Sequence, residues 1–192
     1  MKPFKRRRKG GIAAEFEPNE ALLLSNLAAQ MIELLRDRNG SQESSADPLA
    51  QMVGMSGPIM PPEDPVLNRL LPDAYRDDPD NAAEFRRYTE QMLTSQKVTN
   101  AQALIDALIE GGLSEAEHSR ARIEVELNDG AAIAWMKTLT DIRLALGIRL
   151  GIETEADMEL LEQEAEEYER QTLDIYEWLG FVQETLVEAA SR

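Results

Sequence analysis

The chain contains no cysteine in its 192 residues, a single histidine, His118, and only two tryptophans. Without thiols there is no disulfide, no thiolate nucleophile and no cysteine-ligated metal, whatever the compartment. One imidazole leaves acid–base and metal chemistry almost wholly to carboxylates. No stretch approaches the ~20 apolar residues of a membrane span, and residues 10–17 supply no apolar signal-peptide core. A cytoplasmic protein is the expectation. Walker, dinucleotide-binding, zinc-protease and nucleophile-elbow motifs are missing too, so an enzyme would have to use carboxylates alone; the expectation is a non-enzyme with no catalytic residue, cofactor or metal.

What is present is charge, unevenly placed. Lys2, Lys5, Arg6, Arg7, Arg8 and Lys9 hold six of the twenty basic residues, and the rest of the chain carries 14 basic and 36 acidic residues, a formal charge of −22. So acidic a body repels phosphate backbones. The basic run Lys5, Arg6, Arg7, Arg8 and Lys9 is the candidate contact for nucleic acid or an acidic partner, against the plainer reading of a strand with a solvated charged face.

The length suits one domain over 1–192, with 43% hydrophobic residues enough for a core. Residues 3–8 and 11–16 flank Gly10-Gly11 and predict a hairpin whose turn takes positive φ. Ile123, Val125 and Leu127 alternate with charge, so 122–127 reads as a third strand. Pro18 opens a helix over 19–37 with Leu24, Leu27, Met31 and Leu34 on one face. The stretch 39–65, rich in Gly, Pro and Ser, predicts a flexible loop containing a short helix at 48–53 and Met52, Met55 and Met60, either an adaptable docking patch or anchors onto the body.

Asp64-Pro65 and Asp78-Pro79 predict N-caps followed by helices. The second is expected to run to about Lys97 with Ala82, Phe85, Tyr88 or Thr89, and Met92 facing inward. Thr99 and Gln102 predict a fresh capping box for another helix, ended by Gly111-Gly112. A helix over 130–150 carries Ala132, Trp135, Leu139, Ile142 and Leu146 inside, and Gly151 ends it. From 155 to 190 there is no proline and one glycine, and Met158, Leu161, Ala165, Tyr168, Thr172, Ile175, Leu179, Val182, Leu186 and Ala189 keep a three-four spacing. The spacing leaves open one helix or two there; a single helix would be roughly 54 Å long, with part of it docking on a partner or second chain. The fold class is mainly α, a helical bundle with a small three-stranded antiparallel sheet.

Candidate chemistry is sparse. Glu115 and His118 make one Glu-x-x-His, where a di-iron bundle needs two and further glutamates, so an exposed turn histidine is preferred. Asp77, Asp78 and Asp80 lack the glycine and terminal glutamate of a calcium loop, and capping accounts for them. Nine carboxylates between Glu153 and Glu169 are read as a solvated helix face, with a basic partner as the sharper alternative. Tyr176, Trp178, Gly180 and Phe181 lie off the heptad stripe; Gly180 predicts close approach of another backbone, in the core or at a homodimer interface. Asp141, Arg143 and Arg149 are read as bundle-edge ion pairs, with a ligand site as the alternative.

Three stretches carry a resemblance: Phe4-Lys-Arg-Arg-Arg-Lys-Gly-Gly leading to Pro18; Leu70-Leu-Pro-Asp-Ala-Tyr75 through Phe85-Arg-Arg87; and Leu139 to Ile152 with Tyr176-Glu-Trp-Leu-Gly180 and Gln183-Glu-Thr-Leu186. The chain resembles the actinobacterial oxidative-stress regulators of the AosR type, long carried as a family of unknown function. The resemblance implies a cytoplasmic transcriptional regulator that senses oxidants through an N-terminal cysteine pair and acts with an alternative sigma factor at genes of cysteine and thiol metabolism. With no cysteine in this chain, the disulfide switch does not carry over. The expectation is a regulator contacting RNA polymerase or a sigma factor, with weak DNA contact through the basic strand and no membrane. The alternatives are an adaptor or scaffold linked to Clp proteolysis, suggested by the family's gene neighbourhood, and a carboxylate or metal enzyme.

Overall fold

The computed structural model describes residues 1–8, 10–40, 60–75, 77–114 and 121–192. Lys9, Glu115, His118, Met52, Met55 and the expected helix at 48–53 lie outside them, as does most of the expected loop. Among the described residues, six helices surround one three-stranded sheet, the mainly helical architecture expected from the sequence.

The sheet is antiparallel in the order β1 (Lys2–Arg6), β2 (Ile12–Phe16), β3 (Ile123–Leu127). Gly10 and Gly11 sit at φ 91° and 80°, the left-handed region that only glycine enters freely, and close the hairpin through Arg7 N–H to Gly11 O. Register Ile12↔Leu127, Ala14↔Val125 and Phe16↔Ile123 puts these six apolar side chains of β2 and β3 on one buried face. Phe4 from β1 joins them, its ring edge-on to Phe16 and to Trp135 at centroid distances of 5.9 and 5.7 Å.

Helix α1 (Pro18–Gly40) buries Ala21, Leu24, Ala28, Met31, Ile32 and Leu35, the continuous stripe a core-facing helix needs. Asp64 caps the short α2 (Pro65–Leu70) by accepting from Val66 and Leu67 N–H, and Asp78 caps α3 (Pro79–Glu110) by accepting from Asn81 N–H. Asp77, Asp78 and Asp80 thus sit at a helix start. Asn128 caps α4 (Asp129–Leu150), whose Ala132, Trp135, Leu139, Ile142 and Leu146 are all buried as the spacing predicts. Gly151, at φ 71°, ends it in a left-handed cap.

Two expectations are corrected. The stretch 79–110 is one helix: Thr99 Oγ1 donates back to Ser95 O at 2.8 Å instead of capping a new start, and no glycine or proline interrupts. Its first half is also turned about its axis. Arg86, Glu90 and Thr94 are buried while Phe85, Tyr88 and Met92 are exposed, because the interior there is held by ion pairs, Arg38–Glu90 at 2.8 Å and Arg86 with Asp73.

The stretch 155–190 breaks into α5 (Glu155–Glu164) and α6 (Glu167–Ala190). Ala165 and Glu166 leave helical geometry at ψ 134° and 167°, and Glu166 starts α6 in a reciprocal box with Glu169. The break lets Ala165 bury, whereas α5 has no buried residue. Leu179, Val182, Leu186 and Ala189 of α6 pack into the core against α4 and the sheet, and Leu173 is buried nearer the start of the helix.

Candidate functional site

The basic strand lies on the outer face of the sheet, and that face is a lattice of opposite charges. Glu15 and Glu124 stand directly opposite across β2 and β3, a like-charge pair that costs stability unless cations intervene. They do: Lys2 Nζ lies 2.7 Å from Glu15, Arg7 pairs with Glu124 and reaches Glu126 at 3.7 Å, and Arg122 spans Glu15 and Glu17. Lys2 holds the Glu15 carboxyl below its ordinary pKa, chiefly by its hydrogen bond. Arg6 reaches Asp129 at 3.4 Å. Of the run expected to meet a phosphate backbone, Lys5 and Arg8 are exposed and make no ion pair among the described residues, while Arg6 and Arg7 are engaged within the molecule.

The α6 residues expected at an interface do not share one surface. Tyr176 is half-buried with the Arg143 guanidinium 4.8 Å over its ring. Gly180 is covered by that same guanidinium, whose carbon lies 3.5 Å from where a Cβ would stand, so a side chain and no second backbone occupies the space. Trp178 is half-buried on the core, and Phe181 alone of the four points clearly to solvent, 47% exposed.

Asp141, Arg143 and Arg149 are likewise dispersed around α4. Asp141 pairs with Lys97 of α3 at 2.6 Å; burial raises its pKa above the ordinary value, and the hydrogen bond and charge of Lys97 oppose that rise without cancelling it. Arg149 is exposed near α1. Arg143 faces α6, where its Nη1 donates to Gln183 Oε1 at 3.0 Å and Gln183 Nε2 donates to Thr140 Oγ1 at 2.6 Å. That chain borders a cavity of about 520 Å³ between α2, α4 and α6.

A second feature escapes the sequence reading because it depends on the rotation of α3. Phe85, Met92, Leu93 and Leu71 line a groove of about 560 Å³, with Tyr75 edge-on to Phe85 at 6.0 Å. A misplaced helical phase hides such a surface, since the same residues then count as core. Among the described residues no group of three or more His, Cys, Asp or Glu is placed to hold a metal, and no helix is long and apolar enough to cross a membrane.

Residues 1–190 match the family described as a domain of unknown function, DUF2017. The chain belongs to the DUF2017 family. It is similar to the "Oxidative stress regulator AosR" of Mycobacterium tuberculosis (strain ATCC 25618 / H37Rv), 35% identical over 184 residues that cover 88% of this chain and 78% of the relative. The protein of the same name from Mycobacterium bovis matches to the same extent. The "Putative oxidative stress regulator AosR" of Mycobacterium leprae is 34% identical over 186 residues, covering 90% of this chain and 79% of the relative. No solved structure matches this member of the DUF2017 family.

Proposed function

We propose that this DUF2017 member is a non-enzymatic, cytoplasmic regulator of transcription in the oxidative-stress response, acting through contacts with RNA polymerase or a sigma factor. The observation that carries the reading is its identity of 35% along 88% of its length with proteins named oxidative stress regulators. Charge favours protein over DNA as the partner. The formal net charge is −16, and two of the arginines on the basic hairpin face carboxylates of their own molecule. A chain without cysteine cannot form a disulfide switch, so any oxidant response must enter by another route.

The test is affinity capture of the tagged protein from a lysate of its own organism, with and without peroxide, read by mass spectrometry. Enrichment of RNA polymerase or a sigma factor is expected. Enrichment of Clp subunits with no transcription component would replace the regulator by a proteolytic adaptor.

A further inference from the structure

The cavity between α2, α4 and α6 has the makings of a ligand site. Arg143 is held in one orientation from several sides: Tyr176 lies under its guanidinium, Gln183 accepts from Nη1, and Gln183 is itself fixed on Thr140, whose hydroxyl donates to Met136 O at 2.8 Å. Gly180 lies against the guanidinium, and an added Cβ there would meet it at 3.5 Å, an ordinary van der Waals contact.

Held this firmly, Arg143 still has no counter-charge. Its Nε is buried without a hydrogen-bond partner, and no carboxylate lies within ion-pair distance of it among the described residues. Arg69, at the last turn of α2, faces the same cavity and is also without an ion pair among the described residues. Two guanidinium groups thus border one cavity, and neither is neutralised by a carboxylate among the described residues. Glu153 borders the cavity too but pairs with neither. The remaining wall is apolar, made by Leu144, Ile148 and Ile152, and a volume of about 520 Å³ falls within the usual range for small-molecule sites.

We propose that this cavity binds a small organic anion, its carboxylate or phosphate set between Arg69 and Arg143 and its apolar body against Leu144, Ile148 and Ile152. Guanidinium suits either head because its planar fork donates two parallel hydrogen bonds. The inference goes beyond the regulator reading and does not depend on it.

The test is calorimetric titration and thermal melting of the full chain with phenyl phosphate, phenylacetate and inorganic phosphate at matched ionic strength. One of the two organic anions is expected to bind saturably and more tightly than inorganic phosphate, and which one it is names the head group. At tenfold excess over its Kd it should raise Tm by roughly 3–6 °C. Arg69→Ala, an exposed position that leaves the fold intact, and Arg143→Lys, which keeps charge but loses the fork, should each weaken binding at least about tenfold. If Arg143→Lys does not fold, Arg69→Ala decides alone. Equal binding by wild type and Arg69→Ala, or no saturable binding by any probe up to about 10 mM, overturns the proposal.

Discussion

Lys97 of α3 places its Nζ 2.6 Å from Asp141 Oδ1 of α4, with only 14% and 8% of the two side chains exposed. Removing one partner leaves the other charged in a place that water barely reaches. Lys97→Met should therefore destabilise the fold by about 3–5 kcal/mol at pH 7, and Lys97→Met with Asp141→Leu should recover most of the loss. The penalty depends on pH with a definite sign. Burial raises the Asp141 pKa in the fold, so the folded chain holds that proton to higher pH than the unfolded one. The contribution of Asp141 is then fully present below the ordinary carboxylate value of about 3.9 and is lost as pH rises through the folded pKa. Without Lys97 the folded pKa climbs further. The difference between wild type and Lys97→Met in urea titrations should thus be small near pH 4 and full at pH 7; an equal difference at both would show that Asp141 is not the group responsible.

Helix α5 depends on its own cap. Thr154 Oγ1 accepts from Asp157 N–H, and the Asp157 carboxylate accepts from the Thr154 hydroxyl and from Thr154 N–H at 2.8 Å, the hydroxyl first and the N–H second in keeping its pKa below the ordinary value. No α5 side chain is buried, so nothing else holds the helix strongly. Thr154→Ala should cost about 1 kcal/mol locally, speeding hydrogen exchange of the α5 amides roughly fivefold and leaving the global Tm unchanged. A drop in global Tm would mean that α5 unfolds with the core.

The helices at 79–110 and 155–190 mark the limit of what periodicity reports. The Ile123-Val125-Leu127 alternation and the Gly10-Gly11 turn each admit one local solution, and both are realised. A three-four spacing states that a helix is present but neither where it breaks nor which face turns inward when polar groups can be buried in pairs. Ala165 continues the apolar rhythm across a real break because it is buried there too, on a different backbone path. Phe85, Tyr88 and Met92 form a genuine stripe, yet the Arg38–Glu90 and Arg86–Asp73 pairs hold the interior in their place. The cavity was half legible. Arg143 stands out on α4 as a polar residue facing a bundle, whereas Arg69 comes from another helix, and only folding brings the two to one wall.

Gly111 closes α3 against β3. A Cβ there would fall 2.6 Å from Glu124 O and 2.9 Å from Ile123 Cγ2, and the first of these is backbone that cannot rotate away. Its helical φ of −71° would suit alanine, so the constraint is space alone. Gly111→Ala should cost about 1–3 kcal/mol by forcing the helix end off the sheet, visible as a lowered midpoint in urea with unchanged slope. A midpoint equal to that of wild type would mean that the α3–β3 junction relaxes freely.

The charge lattice on the sheet decides what the basic hairpin does. Arg7 lies just beyond β1 and crosses β2 to reach Glu124 and Glu126 on β3, with both carboxylates more than half exposed. Glu124→Gln with Glu126→Gln frees Arg7 while disturbing little, because exposed ion pairs contribute only about 0–1 kcal/mol. If Lys5 and Arg8 are phosphate contacts and Arg7 is a further one held back by these carboxylates, the double variant should bind duplex DNA more tightly than wild type at low salt. The slope of log K against log salt should steepen by about one unit, as expected for one added phosphate contact. Unchanged affinity and slope would mean that Arg7 serves to neutralise the Glu15–Glu124 repulsion and hold the hairpin on β3.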